Sequence, residues 1–193
     1  PQAGWSAGYE KIRVRDLDLR ALRQRLAVAP QDTFLFSTTV AENIAYGVAR
    51  EDRAEVERVA RVAHLDGDVL GFPAGYDTLV GERGITLSGG QRQRVAIARA
   101  VLQDAPVLVL DDCLSSVDTH TEEAVLHGLR QAAAGRTTLI VSHRVSTVRD
   151  ADEIVVLADG AVAERGTHER LLALGGLYAE LHRRQQLEEE LEA

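Results

Sequence analysis

The stretch LVLDDCLSSVD, Leu108–Asp118, decides the fold class. It continues an apolar run that starts at Val107 and breaks abruptly into two aspartates, Asp111 and Asp112. A short run of Val and Leu with no polar member is the pattern of a strand buried on both faces of a parallel sheet. Carboxylates at the carboxyl end of such a strand stand where open α/β sheets bind their ligands.

Working outward, TTLIVS (Thr137–Ser142) is a second strand of the same kind, and the segment between them, from about Thr121 to Ala134, is helical. Strand, helix, strand in that order makes a parallel crossover unit. LAVAPQ (Leu26–Gln31) is a third short strand ending in a polar residue, with a helical piece, DLRALRQR, before it. Between these strands, Thr39–His64 is helical, with Val56, Val59, Ala60 and Ala63 on one face. Residues 65–84 are rich in glycine and expected to be loops. KIRVR is a strand candidate near the start. EIVVLADGAVAERG has the alternation of a hairpin around Asp159-Gly160, and the chain ends in two helical pieces, the last highly charged.

Composition narrows the function classes. The chain has 193 residues and a net charge of −8, so a broad nucleic-acid footprint is disfavoured. One cysteine, Cys113, precludes an internal disulfide and suits a reducing compartment. No apolar run reaches the length of a membrane span. Lys11 is the only lysine, and there is no methionine. The expectation is a piece of something longer, or a processed form.

The second decisive motif is LSGGQRQR, Leu87–Arg94. Ser88 is placed to cap a helix running to Gln103. Gly89 and Gly90 let backbone N–H groups approach a ligand, and a helix start favours an anion, so a phosphate suits the site. Read without context, an ordinary serine-capped helix has equal standing. The motif resembles the signature of the ABC transporter ATPases, whose core is LSGGQ. Gln31 in VAPQDTFLF resembles that family's Q-loop glutamine, SSVD (Ser115–Asp118) its D-loop, and His143 in LIVSHR its switch histidine. The order of all five elements matches, and the resemblance covers nearly the entire chain from Ile12 onward. FLFSTTVAENIAYG, VGERG (Val80–Gly84) and GTHERLLALGGLYAELHRRQ are similar to exporters of the family.

The resemblance implies an α/β fold of the P-loop NTPase (RecA-like) type. Its parallel sheet core would be incomplete at the N-terminus, with an inserted α-helical subdomain. The implied divisions are 1–31 for the core up to the Q-loop, 32–100 for the signature subdomain, 101–175 for the rest of the core and 176–193 for a C-terminal helix. The implied cofactors are ATP and Mg²⁺. Asp111 and Gln31 would serve the metal, with Gln31 also touching the attacking water. Asp112 and His143 would act on the water and the terminal phosphate. Ser88, Gly89, Gly90, Gln91 and Asp118 would bind nucleotide across a dimer interface. The implied partners are a second nucleotide-binding domain, in a heterodimer by preference, and the membrane domains of an exporter, at the cytoplasmic face of the cell membrane. No nucleic acid is implied.

Two departures stand out. No G-x-x-x-x-G-K-[ST] occurs, since Ile12 follows the only lysine, so the phosphate-cradling loop is expected to lie before this chain's start. Trp5 and Tyr9 stand too close to Gln31 to be the family's adenine-stacking aromatic. Second, Asp112 stands where most members carry a glutamate, as in the degenerate-site half of heterodimeric exporters. The readings left open are an exporter ATPase domain and a binding module that lends its signature to a partner. A soluble ATPase working on DNA or ribosomes fits VGERG and the acidic balance poorly. Incomplete sheet coverage is expected to expose apolar surface and strand edges.

Overall fold

The computed structural model describes residues 17–81 and 85–192. KIRVR, Trp5, Tyr9 and the Glu82–Gly84 part of VGERG lie outside the described residues. Three strands form one parallel sheet in the order β1 (Leu26–Ala29), β2 (Val107–Asp111), β3 (Thr137–Val141). Val28, Val109 and Leu139 are in register across it, and Asp111 pairs with Val141 at its carboxyl edge. Helix α1 (Leu19–Arg23), capped by the Asp18 carboxylate, leads into β1.

Between β1 and β2 the described residues make four α-helices: α2 (Val40–Ala45), α3 (Arg53–Val62), α4 (Asp66–Leu70) and α5 (Gly89–Leu102). Thr39 and Glu42 form a reciprocal capping box at the start of α2. Val56, Val59 and Ala60 of α3 are buried, as their helical spacing requires. The loop-rich expectation for 65–84 is corrected in part by α4 and a single 3-10 turn at Gly75–Asp77. Helix α4 lacks a side-chain cap, which hides its start from the sequence. Tertiary bonds hold the segment instead, with the Tyr76 hydroxyl donating to Asp66 and the Arg53 guanidinium gripping Asp77. Helix α6 (Thr119–Ala132) crosses from β2 to β3, starting at Thr119 because Asp118 caps it.

The main core lies on one side of the sheet. Ala27, Ala29, Leu108 and Leu110 face it, together with Ile97 and Val101 of α5, Val56 and Val59 of α3 and Val125 of α6. The opposite face is open among the described residues: Val28, Leu139 and Val141 are 47%, 56% and 48% exposed. The apolar run of β2 therefore has only its Leu108 and Leu110 side fully covered, which corrects the expectation of burial on both faces.

A second, smaller core joins the C-terminal elements. Strands β4 (Ile154–Ala158) and β5 (Ala161–Gly166) form an antiparallel hairpin whose turn residues, Asp159 and Gly160, both have positive φ. That backbone selects an Asp-Gly pair. Ile154, Leu171 of α8 (His168–Leu174), Tyr178 of α9 (Leu177–Glu192) and Val145 of α7 (Val145–Val148) pack together. Both Glu164 carboxylate oxygens accept from the first amides of α9, at Leu177 and Tyr178. Among the described residues, no helix is long and apolar enough to cross a membrane.

Two measurements test this packing. A Cβ on Gly128 of α6 would stand 2.5 Å from the carbonyl oxygen of Val62, the last residue of α3, whereas one on Gly67 of α4 would meet nothing within 4 Å. Gly128→Ala should therefore lower stability by about 1–3 kcal/mol despite its better helix propensity. Gly67→Ala should raise it by about 0.4–1 kcal/mol. Urea midpoints of the two variants moving the same way would contradict the contact. Cys113 is 3% exposed. Burial pushes its thiol up to about 12, with the charges of Asp112 and Asp111 adding to the shift. Alkylation by iodoacetamide at pH 8 should be negligible in the folded chain and rapid after denaturation. Rapid labelling of the folded chain would show that the loop after β2 opens.

Candidate functional site

The candidate residues fall into two groups joined by the loop between β2 and α6. The first group lies at the carboxyl edge of the sheet. Gln31 follows β1, Asp111 ends β2, Asp112 comes next, and His143 follows β3. Parallel pairing puts the three strand ends side by side, so residues far apart in sequence meet there.

Asp112 is the meeting point. The Gln31 side-chain amide donates to its Oδ2 at 3.4 Å, and the His143 ring places Nδ1 3.0 Å from its Oδ1. A carboxylate only accepts, so this contact puts the histidine proton on Nδ1. Nε2 is then the free ring nitrogen. The Asp112 amide donates to the Val141 carbonyl at 2.8 Å, extending the ladder by one bond. Its φ is +45°, in the left-handed region. Aspartate and asparagine tolerate that region better than other side chains bearing a Cβ. Asp111, one residue earlier, keeps an extended backbone and an exposed carboxylate.

The second group is the start of α5. The Ser88 hydroxyl accepts from the Gln91 amide at 3.1 Å, and the Gln91 side-chain oxygen accepts from the Ser88 amide at 3.0 Å, a full capping box. The Gln91 side-chain nitrogen donates to Asp68 of α4 at 3.0 Å, and Arg94 grips the same carboxylate at 2.7 Å. Gly89 and Gly90 sit against the loop after β2: a Cβ on Gly90 would stand 2.9 Å from the Ser116 carbonyl oxygen, and one on Gly89 would stand 3.2 Å from Cβ of Ser116. Close approach within the chain is thus a second reason for glycine here, beside access of a ligand to the amides.

Asp118 stands at the far end of that loop. Its carboxylate accepts from the Thr121 amide, which draws its pKa down, and it caps α6. Between the groups runs Gln93 of α5, 6% exposed. Its amide nitrogen donates to the Ser115 hydroxyl at 3.0 Å and its oxygen accepts from the Ser116 amide at 2.9 Å. The Ser115 hydroxyl donates to the Asp112 carbonyl at 3.0 Å. The motif reading does not single out Gln93. The available signal is its place four residues before Ile97 and seven before Ala100, a polar member on an otherwise apolar stripe. Arg144, next to His143, is also outside the motifs. It donates to the carbonyls of Ser115 and Val117 and pairs with Glu122, whose side chain is 1% exposed. No periodicity announces that contact, because it spans three separate elements.

Comparison with known proteins gives the family. A family profile described as ABC transporter matches residues 5–115. The chain is 50% identical over 184 residues to the multidrug resistance-like ATP-binding protein MdlA of Escherichia coli (strain K12), covering 95% of this chain and 31% of that protein. It is 51% identical over 173 residues to an ATP-dependent lipid A-core flippase of Cupriavidus pinatubonensis, covering 88% of this chain and 29% of that one. A solved structure of a bacterial Atm1-family ABC exporter with ATP bound superimposes with a TM-score of 0.85 at 45% identity, over 90% of this chain and 30% of that one. The chain thus spans somewhat under a third of the length of these relatives. It belongs to the ABC transporter family, as an ATP-binding domain of the exporter type.

Proposed function

We propose that this chain forms one half of an ATP-driven exporter's nucleotide-binding pair, with a slow hydrolytic site at Asp112 and a signature that completes the partner's site. The observation that carries the reading is the convergence of Gln31 and His143 on the Asp112 carboxylate. Gln31 and His143, from the ends of two other strands, meet on the carboxylate that follows β2.

The donor set fits a magnesium–nucleotide complex on the metal side. Among the described residues no group of three or more His, Cys, Asp or Glu side chains could enclose a metal alone. Magnesium is suited to one or two protein oxygens, with phosphates and waters completing its shell. Asp111, with the side-chain oxygen of Gln31, would hold it there. The bound ion would neutralise charge on the transferring phosphoryl group.

The chain's own residues supply the remaining functions. His143 engages Asp112 through Nδ1 and leaves Nε2 for a terminal phosphate. Asp112 has both oxygens engaged and a side chain one methylene shorter than glutamate. It therefore holds a water less well as a base, and a misplacement of about 1 Å can cost on the order of 10²-fold in rate. Gly89 and Gly90 offer their amides at the start of α5 to a phosphate brought by the partner, with the Ser88 hydroxyl and the Gln91 side chain beside them, since the Ser88 and Gln91 amides already close the capping box. Asp118 lies at the same edge, as a contact across the dimer. The divisions at 1–31, 32–100, 101–175 and 176–193 belong to this reading, as do the membrane-domain partner and the cytoplasmic face. The Asp112 position favours a heterodimer, in which one slow site is tolerated.

In a reconstituted exporter whose subunit carries this sequence behind a phosphate-binding loop, opposite a competent partner, Asp112→Glu should raise ATP turnover at this site by about 10²-fold. The positive φ at position 112 will cost the variant some stability, so folding is checked by its melting temperature. A folded variant with unchanged turnover would leave the chain as a binding module that only lends its signature.

A further inference from the structure

The His143 side chain is 64% exposed, and Asp112 is the partner its ring meets. Packing around the ring therefore does not fix its place. Its backbone is fixed instead, and from an unexpected direction. The side-chain amide of Gln185, in α9, donates to the His143 carbonyl at 2.7 Å and accepts from the Val145 amide at 2.8 Å. The two bonds bracket one residue, Arg144, whose side chain leaves the other way to the Ser115 and Val117 carbonyls and to Glu122. The buried Glu122 carboxylate also accepts from the hydroxyls of Ser146 and Thr147. The segment from His143 to Thr147 is thus gripped on both sides.

The residue type suits the task. Val145 opens α7, whose N-cap residue, Arg144, makes no side-chain cap bond. The Val145 amide is one of the donors a helix start leaves unpaired, and Gln185 supplies its acceptor. A primary amide offers a donor and an acceptor on one planar group. Glutamate would accept without donating, and lysine would donate without accepting. The helix that carries Gln185 is itself anchored. Its first amides bond to Glu164, and Tyr178, 3% exposed, sits in the smaller core. Gln185 lies seven residues beyond Tyr178, on the same helix face.

We propose that Gln185 is a positioning residue for His143, so that the C-terminal helix sets where the histidine's ring stands against Asp112. The role in turnover rests on the function proposed above; the tether itself does not. The first test uses the 193-residue chain, isotopically labelled for NMR. In Gln185→Ala the Val145 amide should exchange about tenfold faster, the weight of one hydrogen bond, and the His143 ring signals should shift. Gln185→Glu should restore protection at Val145 while the His143 carbonyl carbon signal stays displaced, because the acceptor returns and the donor does not. This second variant decides the matter if Gln185→Ala does not fold. Unchanged Val145 exchange and His143 signals in Gln185→Ala would overturn the tether, as would Gln185→Glu behaving like the parent at both bonds. The second test is turnover in the reconstituted exporter carrying Asp112→Glu. Gln185→Ala should lower turnover there, and should lower it no further in a chain already carrying His143→Ala. Additive losses would mean that Gln185 acts by general stability and would overturn the positioning role. An inert His143→Ala would sink the function assigned to the histidine, while the exchange measurement would still decide the tether.

Discussion

The buried amide of Gln93 is the contact on which the arrangement of the site depends. One side chain bonds Ser115 through its nitrogen and Ser116 through its oxygen, and thereby clamps the loop after β2 against the start of α5. The clamp has two geometric consequences. It brings the Ser116 carbonyl so close to Gly90 that no Cβ fits, and it turns the Ser115 hydroxyl onto the Asp112 carbonyl. The start of α5 and the residue whose carboxylate receives Gln31 and His143 are therefore parts of one hydrogen-bonded unit. Removing one partner would strand a buried amide, a loss of about 1–3 kcal/mol, which is why such a link holds its geometry more firmly than packing alone.

Much of this was legible in the chain itself. The apolar run into Asp111 and Asp112 marked a strand end, Ser88 and Gln91 marked a capped helix start, and Asp159-Gly160 marked a hairpin turn. Each of those signals is local: a cap, a turn, or a change of hydrophobic period within a few residues. What stayed hidden is tertiary. The partners of Gln93, Arg144 and Gln185 cannot be read from spacing, since each reaches a backbone group some 23 to 42 residues away in sequence. The short helix α4 was missed for a related reason, because its stability comes from Asp66 and Asp68 being held by Tyr76, Gln91 and Arg94 rather than from its own cap. The open face of the sheet was equally illegible from β2, because an apolar run does not say which element covers which side.

The charge composition acquires a structural meaning once the contacts are known. Although the chain is acidic, with a net charge of −8, its cations are arginines apart from Lys11. Three of them staple irregular segments. Arg94 reaches the Gly90 and His64 carbonyls as well as Asp68. Arg99 reaches the Phe34 and Asn43 carbonyls, and Arg144 those of Ser115 and Val117. Loop carbonyls lack ladder partners and must be satisfied if they are buried. A guanidinium offers five donors in a fixed plane and can serve several at once, where an ammonium offers a flexible point charge.

The same logic bears on the choice of carboxylate at position 112. A residue there must close a ladder bond to Val141, adopt a left-handed backbone, and aim a side chain at Gln31 and His143. Aspartate meets the backbone requirement more easily than glutamate, and its short side chain fits between two donors already in place. A glutamate would reach further from the sheet edge but would have to share that space with the histidine. Position 112 thus weighs local backbone comfort and a closed set of hydrogen bonds against reach toward a water molecule. In this chain the balance falls toward a held carboxylate, which is the physical ground for the proposal of a slow site there.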